Sequence, residues 1–163
     1  MRAIYPGTFD PFTMGHLDLV ERSIQIFDEI TIAIPSQSSK VTTFSLKTRL
    51  DQIRASTIHL GRVRVDAYTG LTVNYARQSN ANVILRGIRA SSDWEFELQV
   101  AHANRSLIQN IETFLLPTAP HYSFLSSSLV KEVARFGGDI SKMVPITVEV
   151  DLSRVFNSLS MPR

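Results

Sequence analysis

Gly7, Thr8, Phe9, Asp10 and Pro11 are followed closely by Thr13-Met14-Gly15-His16. This polar, turn-forming stretch lies between a short apolar run, Ala3-Ile4-Tyr5, and a segment of helical spacing. A strand, a tight loop and a helix start bring free backbone N–H groups to the positive end of a helix dipole, which is a site for phosphate. A histidine at its mouth adds an N–H donor to a phosphate oxygen. Gly7 and Gly15 allow backbone approaches that a Cβ obstructs, Thr8 offers a hydroxyl, and Asp10-Pro11 makes a turn. The chemistry these residue types suit is phosphoryl or nucleotidyl transfer.

Three other clusters fit the same ligand class. Arg86 and Arg89 flank Gly87 directly after the apolar Val83-Ile84-Leu85, and two forked guanidiniums at that spacing can grip phosphate oxygens. Ser126, Ser127 and Ser128 open a helical segment, where hydroxyls and free N–H groups could hold the terminal phosphates of a nucleotide. Lys40 ends the polar run Pro35-Ser36-Gln37-Ser38-Ser39, and a long loop in a compact domain is often a binding segment. Each has an ordinary alternative. Serine caps many helices, the arginines could pair with Asp93 or Glu95, the lysine could be solvated, and Glu97 could be an exposed helical carboxylate.

The elements that must position these residues follow from periodicity. Apolar, β-rich runs mark strands at 2–5, 29–34, 62–66, 82–85 and 112–116. Leu17, Val20, Ile24 and Phe27 recur at spacings of three and four, as do Leu46, Leu50 and Ile53, so helices lie between strands. A shorter helical segment covers 72–79, and the longest runs from about 93 to 108 with Trp94, Leu98, Ala101 and Ile108 along one face. A helix beginning near Ser127 or Ser128 ends at Gly137-Gly138, and Val148, Leu152, Val155 and Phe156 suggest an amphipathic helix over about 145–160. Strands alternating with helices imply an α/β fold: one doubly wound domain over residues 1–163, with a five-stranded parallel sheet and helices on both faces. In such sheets ligands sit beyond the carboxyl ends of the strands where strand order reverses. Thr8 and His16 follow the first strand, Lys40 the second, Arg86 and Arg89 the fourth, and Tyr122 to Ser128 the fifth.

Composition narrows the function classes. The chain has 163 residues, enough to bury a core, and it is 44% apolar and 20% charged, as ordinary globular domains are. No apolar stretch approaches the length of a membrane span. A formal charge of +2 without a basic stripe argues against nucleic-acid binding. With no cysteine, thiolate metal sites are excluded and a cytoplasmic, reducing compartment fits. The four histidines show no metal-type pairing, and there is no P-loop, G-x-S-x-G elbow or G-x-G-x-x-G fingerprint.

The stretches YPGTFDPFTMGH (5–16), GLTVNYA (70–76), LRGIRA (85–90), DWEFELQVAHANR (93–105) and YSFLSSSLVKEVA (122–134), with Lys40, resemble the bacterial phosphopantetheine adenylyltransferases, members of the (H/T)-x-G-H nucleotidyltransferase superfamily. The resemblance implies a Rossmann-like domain that transfers AMP from ATP to 4′-phosphopantetheine. The products would be 3′-dephospho-coenzyme A and pyrophosphate, formed by in-line attack with no covalent intermediate. It implies Mg²⁺ carried by ATP rather than by protein ligands, no nucleic-acid or membrane partner, and a homohexamer.

By the same resemblance His16, Lys40 and Arg86 are catalytic, and Thr8, Lys40, Thr72 and Arg86 meet the phosphopantetheine. ATP would be held by Thr8, Phe9, His16, Gly87, Ile88, Arg89, Glu97, Tyr122, Ser123, Phe124, Leu125, Ser126, Ser127 and Ser128. Two alternatives stay open at this point: another nucleotidyltransferase of the superfamily, and a non-catalytic nucleotide or coenzyme A sensor.

Overall fold

Along the first strand, successive side chains part to opposite faces, as a pleated backbone requires. Ala3 and Tyr5 enter one apolar cluster with Ile30, Ile32 and Ile34, while Ile4 enters a second with Val73, Ala76 and Ile84. A strand with both faces buried is a central strand of a parallel sheet. The computed structural model describes residues 1–37 and 41–159. In chain order its elements are β1 (Arg2–Pro6), α1 (Met14–Ser23), β2 (Glu29–Pro35), α2 (Leu46–Thr57), β3 (Val63–Tyr68), α3 (Thr72–Gln78), β4 (Val83–Ile88), α4 (Ser91–Leu107), β5 (Glu112–Pro117), α5 (Ser127–Arg135) and α6 (Ile146–Leu159). A 3₁₀ turn at Pro120–Tyr122 precedes α5.

All strand pairs are parallel, and their order is β3-β2-β1-β4-β5. The chain winds outward from β1 to β3, crosses back, and winds the other way, so order reverses between β1 and β4. Burial of a full Ile or Leu side chain contributes about 1.5–3 kcal/mol, and fully enclosed Ile32, Ile34, Ile53, Val130 and Leu152 bind the α1, α2, α5 and α6 layer to one face. The opposite face carries the smaller cluster under α3, joined by Ile108 and Ile111 around the end of α4. Among the described residues, no helix is long and apolar enough to cross a membrane.

The expected α/β architecture holds, with local differences. β4 runs on through Arg86 and Gly87 to Ile88, because its pairing with β5 continues to Ile88 opposite Pro117. These residues therefore sit within the strand end, not after it. On α4, Trp94 and Leu98 lie exposed, as do Phe96 and Leu107, so the long helix turns apolar side chains outward as well as inward.

α6 closes the chain across two helices. Val148, Leu152 and Phe156 are buried, the Gln52 side-chain amide on α2 donates to Asp151 at 3.0 Å, and the Arg135 guanidinium of α5 lies 5.8 Å from the Phe156 ring centroid. Just before α6, the Met143 carbonyl accepts the Met14 N–H at 2.8 Å. The start of α1 is thereby held from the far end of the chain.

Candidate active site

The loop after β1 is fixed by its own aromatic residues. Phe9 has φ of 47°, a left-handed conformation that costs a non-glycine residue about 1–2 kcal/mol. Its ring folds back over Gly7, where an added Cβ would lie 2.7 Å from Phe9 Cζ. Only glycine accommodates that approach. The ring also meets Tyr5, Phe12 and His16 edge-on, with centroids at 5.2, 5.6 and 5.0 Å, and Phe12 stacks against the imidazole at 5.5 Å.

His16 occupies the third position of α1 and forms a capping box with Thr13. The Thr13 N–H donates to His16 Nδ1 at 3.0 Å, and the His16 N–H donates to Thr13 Oγ1 at 3.3 Å. A ring nitrogen that accepts a backbone N–H carries no proton, so the neutral imidazole is protonated on Nε2. Burial, and then the charges of Arg89 and Arg86, lower the His16 pKa to about 3. At neutral pH the ring is an uncharged donor of fixed orientation.

Arg86 and Arg89 are each braced by a carboxylate. Arg86 donates from Nε and a terminal nitrogen to both oxygens of Glu97, at 2.7 and 2.6 Å, and from its other terminal nitrogen to the Pro6 carbonyl at 2.9 Å. Arg89 grips Asp93 and reaches the Leu125 carbonyl at 3.1 Å. A guanidinium has five N–H donors. Each arginine therefore keeps two for a ligand while its plane is locked. Glu97 is buried, not solvated, and both its oxygens are committed to Arg86.

A second buried carboxylate fastens the neighbouring loop. Asp10 accepts the Thr43 and Phe44 N–H groups at 2.8 and 2.9 Å and the Lys131 ammonium at 2.9 Å. Burial works to raise the Asp10 carboxyl, but the Thr43 N–H, Lys131 and the Phe44 N–H together hold it below its ordinary pKa. Arg49 on α2 completes the tie by donating to the Thr8 carbonyl at 2.7 Å and to the Phe44 carbonyl at 3.2 Å. At α5 the Ser126 side chain accepts the Leu129 N–H at 3.0 Å and caps the helix, and the Ser127 hydroxyl donates to the Pro11 carbonyl at 2.8 Å.

A cavity of about 530 Å³ opens where these groups converge, at the carboxyl ends of β1 and β4. Of the residues expected from the sequence, Thr8, Phe9, His16, Thr72, Arg86, Gly87, Arg89, Glu97, Tyr122, Leu125, Ser126, Ser127 and Ser128 line it. Ile88, Ser123 and Phe124 do not, and Phe124 is exposed. Lys40 lies outside the described residues. Sequence reasoning gave no role to Tyr5, Thr13, Tyr68 or Lys131, which also line the cavity, nor to the cross-braces from Arg49 and Asp10. The T-x-x-H spacing was the available signal for the Thr13 cap. Lys131 and Asp10, 121 residues apart, carry none.

A parallel sheet whose order reverses at a phosphate-type cavity defines a nucleotide-handling α/β domain, and a family model described as cytidylyltransferase-like matches residues 4–133. Curated relatives narrow that class. The phosphopantetheine adenylyltransferase of Synechococcus sp. strain CC9311 is 58% identical over 158 residues, covering 97% of this chain and 99% of the relative. Those of Synechococcus sp. strain RCC307 and Prochlorococcus marinus strain MIT 9313 are each 55% identical over 157 residues, covering 96% of this chain and 95% and 100% of the relatives. The chain belongs to the phosphopantetheine adenylyltransferase family.

Proposed function

We propose that the protein transfers AMP from ATP to 4′-phosphopantetheine, giving 3′-dephospho-coenzyme A and pyrophosphate. The observation that carries this reading is the convergence of His16, Arg86, Arg89 and the α5 N-terminus on one cavity, in a chain of this family.

The attacking group is already an anionic phosphate, so the reaction needs no general base. Its difficulty lies in bringing two phosphate-bearing anions together and in stabilising charge as pyrophosphate leaves, which fixed donors and positioning supply. His16 acts as a neutral Nε2–H donor to the α-phosphoryl oxygens. A group whose pKa falls to about 3 is unsuited to carrying protons near pH 7. Arg86, with Thr8 and Lys40, holds the acceptor phosphate, and Thr72 meets the pantetheine arm. Arg89 and the first turn of α5 receive the β- and γ-phosphates.

Mg²⁺ would accompany ATP, screening phosphate charge. The site carboxylates Asp10, Asp93 and Glu97 are each engaged by a cation, so the chain's contribution is to receive the triphosphate through arginine and backbone donors. Assembly as a cytoplasmic homohexamer belongs to the same reading. Exposed Trp94, Phe96 and Leu98 on α4 and Phe114 on β5 supply apolar surface for contacts between copies, and sedimentation of the purified protein tests that assembly.

Activity is tested by incubating the protein with ATP and 4′-phosphopantetheine and following pyrophosphate release and dephospho-coenzyme A by mass. CTP and other phosphate acceptors serve as controls. His16→Ala is expected to fold and to lose at least about 10²-fold in turnover, the scale of one preorganised donor. Near-normal turnover in that variant would remove His16 from its role.

A further inference from the structure

Tyr5 stands on β1 with its side chain turned toward α1 and α5, and the residue is 4% exposed. Its ring meets Phe9 edge-on at 5.2 Å and His16 at 6.4 Å. The hydroxyl reaches the crevice between β1 and β4: a Cβ added to Gly87 would lie 3.8 Å from it. The charges of Arg86, Arg89 and Glu97 all act on it.

Among the described residues this hydroxyl has no hydrogen-bond partner. Nor is it sealed in: the enclosed, unpartnered side-chain atoms belong to Ser23, Gln52, Thr113 and Thr147, whereas Tyr5 lines the cavity. Core packing needs only the ring. A phenylalanine would make the same aromatic contacts, so packing alone leaves the hydroxyl without a role. Burial raises the phenol pKa, so the group stays a protonated donor across the physiological range.

We propose that Tyr5 is a catalytic hydrogen-bond donor to the phosphoryl group undergoing transfer, working beside the Nε2–H of His16. The inference rests on the nucleotidyl-transfer reading above. Two uncharged donors on adjoining elements, one from β1 and one from α1, then face the centre where negative charge redistributes, and neither titrates there.

The test is Tyr5→Phe, with initial rates measured against both ATP and 4′-phosphopantetheine and a melting curve for each protein. Losing this second donor while His16 remains in place lowers kcat at least about tenfold. KM for each substrate stays within about twofold and the shape of the pH–rate profile is unchanged. A kcat within about twofold of the wild type, or a loss confined to KM, overturns the proposal. If Tyr5→Phe fails to melt cooperatively, 3-fluorotyrosine at position 5 carries the test, since it keeps the ring and only acidifies the hydroxyl. A changed kcat at unchanged KM then supports the role, and an unchanged kcat overturns it. Wild-type protein that forms no dephospho-coenzyme A defeats the underlying reading itself. That result is distinct from a working wild type matched by an equally fast Tyr5→Phe.

Discussion

Replacing His16 by glutamine should abolish a specific part of the protein's sensitivity to mild acid. The folded-state pKa of His16 is lowered from 6.5 to about 3, so the fold disfavours the protonated ring. The contribution is fully present above the unfolded value and is lost as pH falls from about 6.5 toward 3. Between pH 7.5 and 5 the unfolded chain gains most of a proton at this site and the folded chain gains almost none, which costs about 2 kcal/mol of stability. Glutamine does not titrate, and it suits the third position of a capping box, where it can still accept the Thr13 N–H. Urea unfolding at the two pH values, for wild type and His16→Gln, gives the difference directly, and subtraction removes contributions from other groups. The wild type is expected to lose about 2 kcal/mol more than the variant on acidification. Equal losses would refute both the neutral imidazole and the donor role built on it.

Two further outcomes follow from the braces around the cavity. Asp10→Asn leaves Lys131 without its carboxylate and turns an amide toward one backbone N–H. Stability should fall by about 2 kcal/mol, with faster hydrogen exchange at the Thr43 and Phe44 amides, whereas unchanged exchange there would show that the loop is held by other contacts. Ser126→Ala removes the α5 cap at a cost of about 1 kcal/mol, a fall of about 2–4 °C in Tm. An unshifted melting curve would mean that the cap adds nothing.

The parallel sheet was legible because its strands read as short apolar runs separated by helical periods, and four ligand-bearing segments each fell after a strand. Arg86 shows where that reading stops. Its apolar run ends at Leu85, yet pairing with β5, a neighbour far along the chain, extends the ladder to Ile88. Propensity within one segment carries no information about that partner. Helical position alone leaves Glu97 a solvated carboxylate and the resemblance assigns it to ATP, whereas the fold makes it the buried clamp on Arg86, since three-dimensional proximity decides which helix face meets the sheet edge. Trp94 and Leu98 marked an apolar stripe correctly, but periodicity does not say whether a stripe meets the core or the outside. The Asp10–Lys131 and Arg49–Thr8 ties join residues 121 and 41 positions apart, with no local pattern to announce them.

Because α6 leans on α2 and α5 together, and the turn before it grasps the first residue of α1, the tail acts as a keystone for three helices that line the cavity or brace the loops around it. Arg49 rides on the first of these, Ser127 and Lys131 on the second, and His16 on the third. Shortening the carboxyl terminus into α6 should therefore disable chemistry at a distance, while a tag appended beyond it leaves those supports in place.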